Sequence, residues 1–433
     1  MAMDGKELVE KLAKLSQVQS IKDIPHLTHA LFPGTHCPLM GAAMAVGGIK
    51  DSLIVVVGTD ECTYYTKSMT IHSEKFGGID GRCVSVVLDD HDVTFGSAEK
   101  VQEAFKEIIE EYRPQCVFLV TTCVIEIIGD DFDAISEGLS KLYGIPVLPV
   151  HTEHFKCEDH LPGLERTITV CAEMMKSCDC DNSVNLLGQR MGDFATTELY
   201  AMLQKAGVKI GLQLPCGCSV DDIKNAAAAK VNIVVNDIAL PLAQKMQEKF
   251  GIPYVYFNKF VIPEKIYEAY KNLFGYLELE LPEELEGLYQ NAREEIEKNK
   301  GELEGISYIY GNTPYAVFEM NCFLSSLGMV PQVIQTNRYT EADEPYAKEI
   351  LQYTDPYVCK AANIAPLQYV YDVLSPYLYL GHEFGNRLRQ KGIAIVHSDR
   401  ASGMLGFEVT GYLLQQLVKS VREAKEYRKE LGL

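Results

Sequence analysis

The sequence lacks several features that would place it in a common class of protein. No apolar stretch reaches the ~18 residues that a membrane helix needs. The first residues show no basic region followed by an apolar run, so we expect no secretory signal. There is no Walker A motif and no G-x-G-x-x-G after a predicted strand. The standard loops that bind ATP or a dinucleotide are therefore not predicted.

Basic residues are also scarce. The 433 residues include 40 Lys and Arg against 60 Asp and Glu, which gives a net charge of −20. A chain with this charge is not expected to bind nucleic acid or an anionic membrane surface. The hydrophobic content of 47% is that of a globular protein, and the length predicts more than one domain.

Cysteine is abundant, with 13 residues, although tryptophan is absent. The count is odd and no export signal is expected, so we do not predict a disulfide framework. The cysteines are then either buried reduced thiols or ligands of a metal or an iron–sulfur cluster. Oxygen-sensitive clusters would suit an anaerobic cytoplasm, and we expect the protein to be cytoplasmic.

The pattern of apolar runs predicts an α/β protein. Runs such as Leu53–Val57 and Val117–Val120 are continuous, which is typical of strands buried on both faces of a parallel sheet. Helical stretches separate the runs, and the alternation starts again near Ser183 and near Ile306. We therefore predict three doubly wound parallel-sheet domains. Their expected bounds are a helical segment at 1–24, a cluster-binding domain at 25–182, a second domain with an acidic helical connector at 183–304, and a third domain with a C-terminal helix at 305–433.

Three cysteines stand at the ends of predicted elements. Cys37 precedes a helix of small residues, Cys62 follows the first predicted strand and Cys123 follows the third. Because the carboxyl ends of parallel strands meet at one edge of a sheet, Cys62 and Cys123 are expected to lie close together, with Cys37 beside them. Helix N-termini stabilise thiolates, which are the form that iron binds.

These segments resemble the cysteine motifs of the nitrogenase component 1 superfamily. The resemblance lies in Cys37 before its small-residue helix, in Gly-x-x-x-Cys-x-x-Tyr at 58–65, and in Thr-Thr-Cys followed by Ile-Gly-Asp-Asp at 121–131. It continues through 184–188 and reaches His397. The resemblance implies three Rossmann-like domains around a central cleft, in agreement with the three restarts of the pattern.

The resemblance implies that Cys37, Cys62 and Cys123 hold an iron–sulfur cluster, either 4Fe-4S or P-cluster-like, at a subunit interface. Because this chain offers three ligands, the others would come from a homologous or identical second subunit. A chain that carries half of a shared site is expected to be an oligomer.

A second metal site is less clearly implied. In catalytic members of the superfamily a larger cofactor is held by one cysteine and one histidine, and His397 matches the histidine. No cysteine stands near 235–237, where the other ligand is expected, so a second complex metallocluster near His397 remains an open alternative. Cys216 and Cys218 are candidate replacement ligands, with an ordinary pair of loop thiols as the other interpretation. Reduction of dinitrogen is not expected.

Other polar residues are predicted to line the cleft. The segment that contains His154 and His160 resembles the family stretch that lines the substrate cavity, which makes both histidines candidate proton donors. Lys67 falls where a basic residue of the family faces the cavity. For His160 a merely solvated loop histidine is an equal alternative.

The resemblance leads to three hypotheses for the function. The first is an iron–sulfur oxidoreductase subunit of a nitrogenase-like two-component reductase, which takes electrons from a separate ATP-hydrolysing iron protein and passes them to a substrate or cofactor in the cleft. The second is a scaffold protein on which a nitrogenase-type metallocluster is assembled before transfer. The third is a homodimeric tetrapyrrole reductase.

Overall fold

The computed structural model describes residues 4–27, 36–72, 82–157, 159–190, 192–257, 260–311, 313, 316–360 and 364–433. Its strands are β1 (Ala13–Lys14), β2 (Ile49–Lys50), β3 (Ser52–Gly58), β4 (Cys83–Val87), β5 (Cys116–Thr121), β6 (Val147–Val150), β7 (Val184–Gln189), β8 (Ile210–Pro215), β9 (Cys218–Ser219), β10 (Val231–Val234), β11 (Tyr254–Tyr256), β12 (Ser307–Tyr310), β13 (Val330–Gln335), β14 (Tyr357–Cys359), β15 (Leu378–Leu380) and β16 (Ala394–Val396).

The α-helices that connect them are α1 (Gly5–Glu10), α2 (Pro38–Gly47), α3 (Asp60–His72), α4 (Asp90–Phe95), α5 (Ala98–Tyr112), α6 (Cys123–Ile128), α7 (Phe132–Tyr143), α8 (Leu161–Val170), α9 (Glu198–Lys205), α10 (Val220–Lys224), α11 (Leu240–Phe250), α12 (Pro263–Leu277), α13 (Leu285–Leu303), α14 (Val317–Ser326), α15 (Glu344–Ile350), α16 (Ile364–Leu374), α17 (Gly385–Arg389) and α18 (Glu408–Leu431). Within the described ranges, no helix has both the length and the apolar content that crossing a membrane requires.

The strands form three main sheets, which confirms the predicted α/β class. The first sheet has the order β4-β3-β5-β6, the second β11-β10-β7-β8 and the third β1-β14-β13-β12-β15-β16. All pairs in these sheets are parallel except β1 with β14. The antiparallel pair joins the N-terminal residues to the edge of the third sheet.

Burial explains why these segments become strands. Every residue of β3 and of β5 is buried, as expected for central strands covered by helices on both faces. Helix α5 is amphipathic, and the apolar face that it buries consists of Val101, Phe105 and Ile108. The acidic connector forms α13, which exposes its charged face and packs against α12 and α18.

Helices α2 and α8 cross with their backbones in contact. A Cβ atom on Gly41 would lie 1.9 Å from the carbonyl oxygen of His160, and one on Gly163 would lie 1.8 Å from that of Pro38. Only glycine permits this approach. The two contacts fix the first turn of α2, which follows Cys37, against the first turn of α8.

Candidate metallocluster site

Cys37 is the N-cap residue of α2, and its thiol is not used to cap the helix. The turn is closed by the backbone instead, since the Met40 amide donates to the Cys37 carbonyl at 3.0 Å. Pro38 occupies the first helical position, where its missing N–H costs nothing. The thiol of Cys37 is therefore available for another partner at the positive end of a ten-residue helix.

Cys62 and Cys123 follow two neighbouring strands. β3 and β5 pair in parallel, and Cys62 lies in the first turn of α3 while Cys123 is the first residue of α6. Gly58, at the end of β3, makes the juxtaposition possible, because a Cβ there would lie 2.3 Å from Oγ1 of Thr122. The two strand ends can therefore lie side by side, as the strand-end argument predicts.

The structure brings the thiol of Cys62 within electrostatic reach of the other two thiols. Burial raises the pKa of Cys62, and the neighbouring Cys123 and Cys37 raise that pKa further, while a hydrogen bond with Thr59 lowers it. All three thiols are half-buried. Thiolates crowded in this way repel one another, and bound cationic iron would relieve the repulsion.

The three thiols are donors of the kind that hold an iron–sulfur cluster. Across the described part of the chain, Asp89, His91 and Asp92 are the one group of three potential ligands whose donor atoms all lie within 4.8 Å of one another. The three cysteine sulfurs do not form such a group. Cysteine thiolates are nevertheless the ligands that iron–sulfur clusters use, so the donor set fits such a cluster.

Glu126 braces the helix that begins at Cys123. Its Oε1 accepts hydrogen bonds from the hydroxyl of Thr121 at 2.7 Å, the hydroxyl of Thr152 at 3.2 Å and the amide of Glu153 at 2.7 Å. These bonds tie α6 to the loop that follows β6. The position of Cys123 is thus set by contacts from two strand ends as well as by its own helix.

The edge of the first sheet that carries the cysteines is apolar and exposed. A large apolar side chain stands beyond each of the four strands, and these residues are Tyr64 (73% exposed), Phe95 (76%), Ile127 (70%) and Phe155 (69%). Exposed apolar rims of this kind mark protein–protein contact surfaces. The half-buried thiols therefore lie where a second subunit could cover them.

A series of polar side chains runs from Tyr65 at this edge through His36 to His160 at the start of α8. The Tyr65 hydroxyl lies 2.6 Å from Nδ1 of His36, and Tyr65 is close enough for Cys37 to raise its pKa, although burial is the larger cause. The pKa of His160 is lowered to about 4, mainly by burial and then by the positive charges of Arg190 and His36, while Asp159 acts in the opposite direction. The imidazole of His160 is therefore neutral at pH 7.

The other two candidate proton carriers lie at the surface. His154 is in a 3₁₀ turn (His154–Lys156) on the exposed rim, with its ring 5.8 Å from that of Phe155. Lys67 is exposed on α3, and its charge acts on the Cys83 thiol at the start of β4. The roles predicted for His154 and Lys67 remain predictions.

Cys216 and Cys218 have different environments. Cys216 is half-buried at the end of β8, where its Sγ donates to the carbonyl oxygen of Arg190 at 3.4 Å. Cys218 is 2% exposed and lies in β9, paired with Ile49 of β2, and burial raises its pKa to about 12. Of the two thiols, Cys216 is the more exposed.

An acid lies in the region 235–237, where the resemblance places a cysteine ligand that this sequence lacks. Asp237 begins a 3₁₀ turn after β10, and its carboxylate accepts a hydrogen bond from the hydroxyl of Tyr256. His397 is exposed at the end of β16, and the turn that follows it reaches Gly403, whose backbone lies against Gly192. A carboxylate bonded to a tyrosine is a harder and more weakly iron-binding group than a thiolate.

Sequence reasoning missed a buried acid near Asp237. Glu319, in the first turn of α14, is 5% exposed, and its Oε1 has no hydrogen-bond partner among the described residues. Burial raises its pKa to about 7, Lys265 lowers that pKa and Asp237 raises it. The available signal was an acid within the apolar stretch 317–324. Arg190, a charged residue directly after the apolar strand β7, offered a similar signal.

Comparison with known proteins relates the chain to one family. The family described as nitrogenase component 1 type oxidoreductase matches residues 37–422. The chain is 31% identical over 224 residues to the nitrogenase iron-molybdenum cofactor biosynthesis protein NifE of Clostridium pasteurianum, covering 51% of this chain and 49% of that protein. It is 25% identical over 331 residues to NifE of Rippkaea orientalis, covering 73% of this chain and 69% of that protein.

A nitrogenase alpha chain and a solved structure are also similar. The nitrogenase molybdenum-iron protein alpha chain of Methanosarcina barkeri is 25% identical over 309 residues, or 68% of this chain and 58% of that one. The chain thus aligns with about half to two thirds of the length of these relatives. The structure of nitrogenase Cp1 at pH 6.5 superposes with a TM-score of 0.78 at 15% identity, covering 92% of this chain and 94% of that one. The fold is therefore that of nitrogenase component 1.

Proposed function

Since the chain belongs to the nitrogenase component 1 type oxidoreductase family, we propose that it is a scaffold subunit for a nitrogenase-type metallocluster. Cys37, Cys62 and Cys123 would hold a resident iron–sulfur cluster together with a second subunit. The central cleft would hold the cargo cluster until it is transferred. The observation that carries the proposal is the convergence of three half-buried thiols on one exposed edge of the first sheet.

The chain's own residues would prepare the resident site in three ways. The helices that begin beside Cys37 and Cys62 place the positive ends of their dipoles at the sulfurs, which favours the thiolate form. Glu126 holds the third helix in place. The apolar rim around Ile127 and Phe155 excludes water once a second subunit covers it. The cluster would supply electron storage or transfer.

The cleft supports release of cargo rather than permanent retention. Asp237 stands where the resemblance places a cysteine ligand, and its carboxylate is already bonded to Tyr256. His397 is exposed and could bind a metal as a single monodentate ligand. A cluster held without a thiolate would dissociate more readily, as a scaffold requires. Relatives named as cofactor biosynthesis proteins support this role.

A second candidate is a two-component reductase. The series of polar side chains from Tyr65 through His36 to His160 favours it, because a reductase must move protons as well as electrons between the cluster edge and the cleft. In this role an ATP-hydrolysing iron protein would deliver electrons to the cluster. Similarity to a nitrogenase alpha chain supports this alternative.

One experiment separates the two candidates. The anaerobically purified protein, with any co-purifying subunit, is loaded with cluster and divided into two reactions. In the first reaction a cofactor-free nitrogenase component 1 is added, and the scaffold proposal predicts that metal moves to it without ATP. In the second reaction an iron protein, ATP and a candidate substrate are added. If the substrate is reduced in the second reaction and no metal is transferred in the first, the scaffold proposal is overturned in favour of the reductase.

A further inference from the structure

Cys178 and Cys180 are the two exposed cysteines of this chain, and the rest of its 13 cysteines are buried or half-buried. Free cysteine is among the most buried residue types, and an exposed thiol is open to oxidation, so packing does not account for either residue. The segment that contains them follows α8, which leads away from the cysteine edge of the first sheet, and precedes β7. The pair is therefore separate from Cys37, Cys62 and Cys123.

The backbone of this segment is held at both ends. The amide of Lys176 donates to the carbonyl oxygen of Lys224 at 2.9 Å, and the amide of Asp181 donates to the carbonyl oxygen of Ala228, also at 2.9 Å. Between these two hydrogen bonds, residues 177–180 form no turn and no bend. The two thiols are thus carried on a short span of unbent backbone that is fixed at each end to the same part of the chain.

The spacing of the two cysteines places their thiols on one side of this span. In extended backbone, successive side chains alternate between two sides, so residues two apart share a side. The Cα atoms of such a pair are roughly 6.5 Å apart. Since a thiolate binds a metal at about 2.3 Å, the sulfurs of Cys178 and Cys180 can reach a common ion. The Cys178 thiol donates to the carbonyl oxygen of Lys176 at 3.2 Å, a contact within the segment itself.

From this placement we infer that Cys178 and Cys180 form a two-sulfur binding site for a single soft metal ion of the Cu(I) class. Thiolates are the ligands that such ions prefer. Asp179 and Asp181 fall on the other side of the span, so the segment offers two sulfur donors without a carboxylate beside them. This set suits an ion that accepts two ligands better than zinc, which takes four. Each thiol releases its proton to solvent as its sulfur binds, so two protons leave per ion and the affinity rises with pH.

The bound ion would act on the connection between two sheets. The segment joins α8, which packs on the first sheet, to β7 of the second sheet, and an ion held by both sulfurs would stiffen it. The inference goes beyond the proposed function and can fail separately from it. Substitutions at 178 and 180 should leave iron and sulfide at the cluster site unchanged, because the two sites share no residue.

The test is a Cu(I) titration of the anaerobically purified full-length protein, in competition with a chromophoric Cu(I) chelator. The wild type should bind one ion per chain more than the double variant that combines Cys178→Ser with Cys180→Ser. Either single substitution should weaken binding at this site by roughly a hundredfold or more, the gain that linking two donors provides. The bound ion should also protect both cysteines from alkylation by N-ethylmaleimide, which mass spectrometry of the peptide measures. The affinity of the site should rise with pH.

A variant with altered spacing is the matched control. Asp179→Cys combined with Cys180→Ser keeps two exposed thiols in the segment but places them on opposite sides of the backbone. It should bind Cu(I) no more tightly than Cys180→Ser alone. The inference is overturned if the wild type and the double serine variant bind the same number of ions, or if the variant with altered spacing binds as tightly as the wild type.

Discussion

The carbonyl oxygen of His160 occupies the space where a side chain on Gly41 would begin. A Cβ on Gly41 would lie 1.9 Å from that oxygen, well inside any permitted contact. Gly41 is in the helix that starts after Cys37, and His160 is the N-cap residue of α8. One backbone contact therefore positions both a candidate cluster ligand and a candidate cleft residue.

Gly41→Ala should separate α2 from α8. We expect a loss of stability of about 1–3 kcal/mol, because the clash is with backbone that cannot rotate away. Iron content should fall as well, since Cys37 moves with its helix. Chemical denaturation and iron analysis measure the two effects.

Gly138→Ala is the matched control for this substitution. Gly138 lies within α7 and a Cβ there would have no atom within 4 Å. Alanine in a helix interior should stabilise the protein by up to about 1 kcal/mol and leave the iron content unchanged. Equal effects of the two substitutions would contradict the positioning role of Gly41.

The exposed rim of the first sheet should be a subunit interface. Ile127→Lys places a charge at the centre of the proposed contact, so we expect the assembled protein to dissociate into monomers and to lose iron. Sedimentation velocity under anaerobic conditions measures the change.

Leu142→Lys tests whether any added lysine would have the same effect. Leu142 is 72% exposed, close to the 70% of Ile127, but it lies near the end of α7, at the opposite edge of the sheet. This variant should assemble normally. Ile127→Lys protein that remains assembled and keeps its iron would show that the rim is not the interface.

Glu319 should make stability depend on pH. The pKa of Glu319 is raised from 4.5 to about 7, mainly by burial. Lys265 acts to lower this pKa and Asp237 acts to raise it. Between these two pH values the folded protein retains a proton that the unfolded chain has lost, so the contribution of Glu319 to stability falls as the pH rises. Glu319→Gln should therefore be more stable than the wild type above pH 7, by up to about 3 kcal/mol, and similar to it below pH 4.5.

Glu294→Gln controls for the general effect of removing an acid. Glu294 is exposed on α13, so its substitution should leave the pH profile of unfolding unchanged. Urea denaturation across pH 4–8 provides the comparison. A Glu319→Gln profile parallel to that of the wild type would show that Glu319 does not carry the predicted proton.

The sheets, and the sheet edge at which the cysteines lie, could be predicted because both depend on the local pattern of apolar residues. Continuous apolar runs identify buried strands such as β3 and β5, and a residue just beyond a parallel strand must lie at the carboxyl edge. The positions of Cys62 and Cys123 follow from these two facts. The short strand β14 escaped prediction because a run of three residues carries little pattern.

The cleft was less predictable because burial there depends on contacts between distant segments. Gly41 and His160 are brought together by a helix crossing that no local pattern encodes. Arg190 and Glu319 are charged residues that a sequence pattern would place at the surface, yet side-chain atoms of both are buried in the fold. The pairing of β1 with β14 likewise joins parts of the chain more than 300 residues apart.

The central claim is that three cysteines on one sheet edge hold an iron–sulfur cluster. The most direct measurement is iron and acid-labile sulfide per chain in anaerobically purified Cys62→Ala, beside the wild type and Cys178→Ala, a free and exposed thiol away from the edge. We predict that Cys62→Ala loses most of its iron, its sulfide and its visible cluster absorption, while Cys178→Ala retains all three. Wild-type iron and sulfide content in Cys62→Ala would contradict the account.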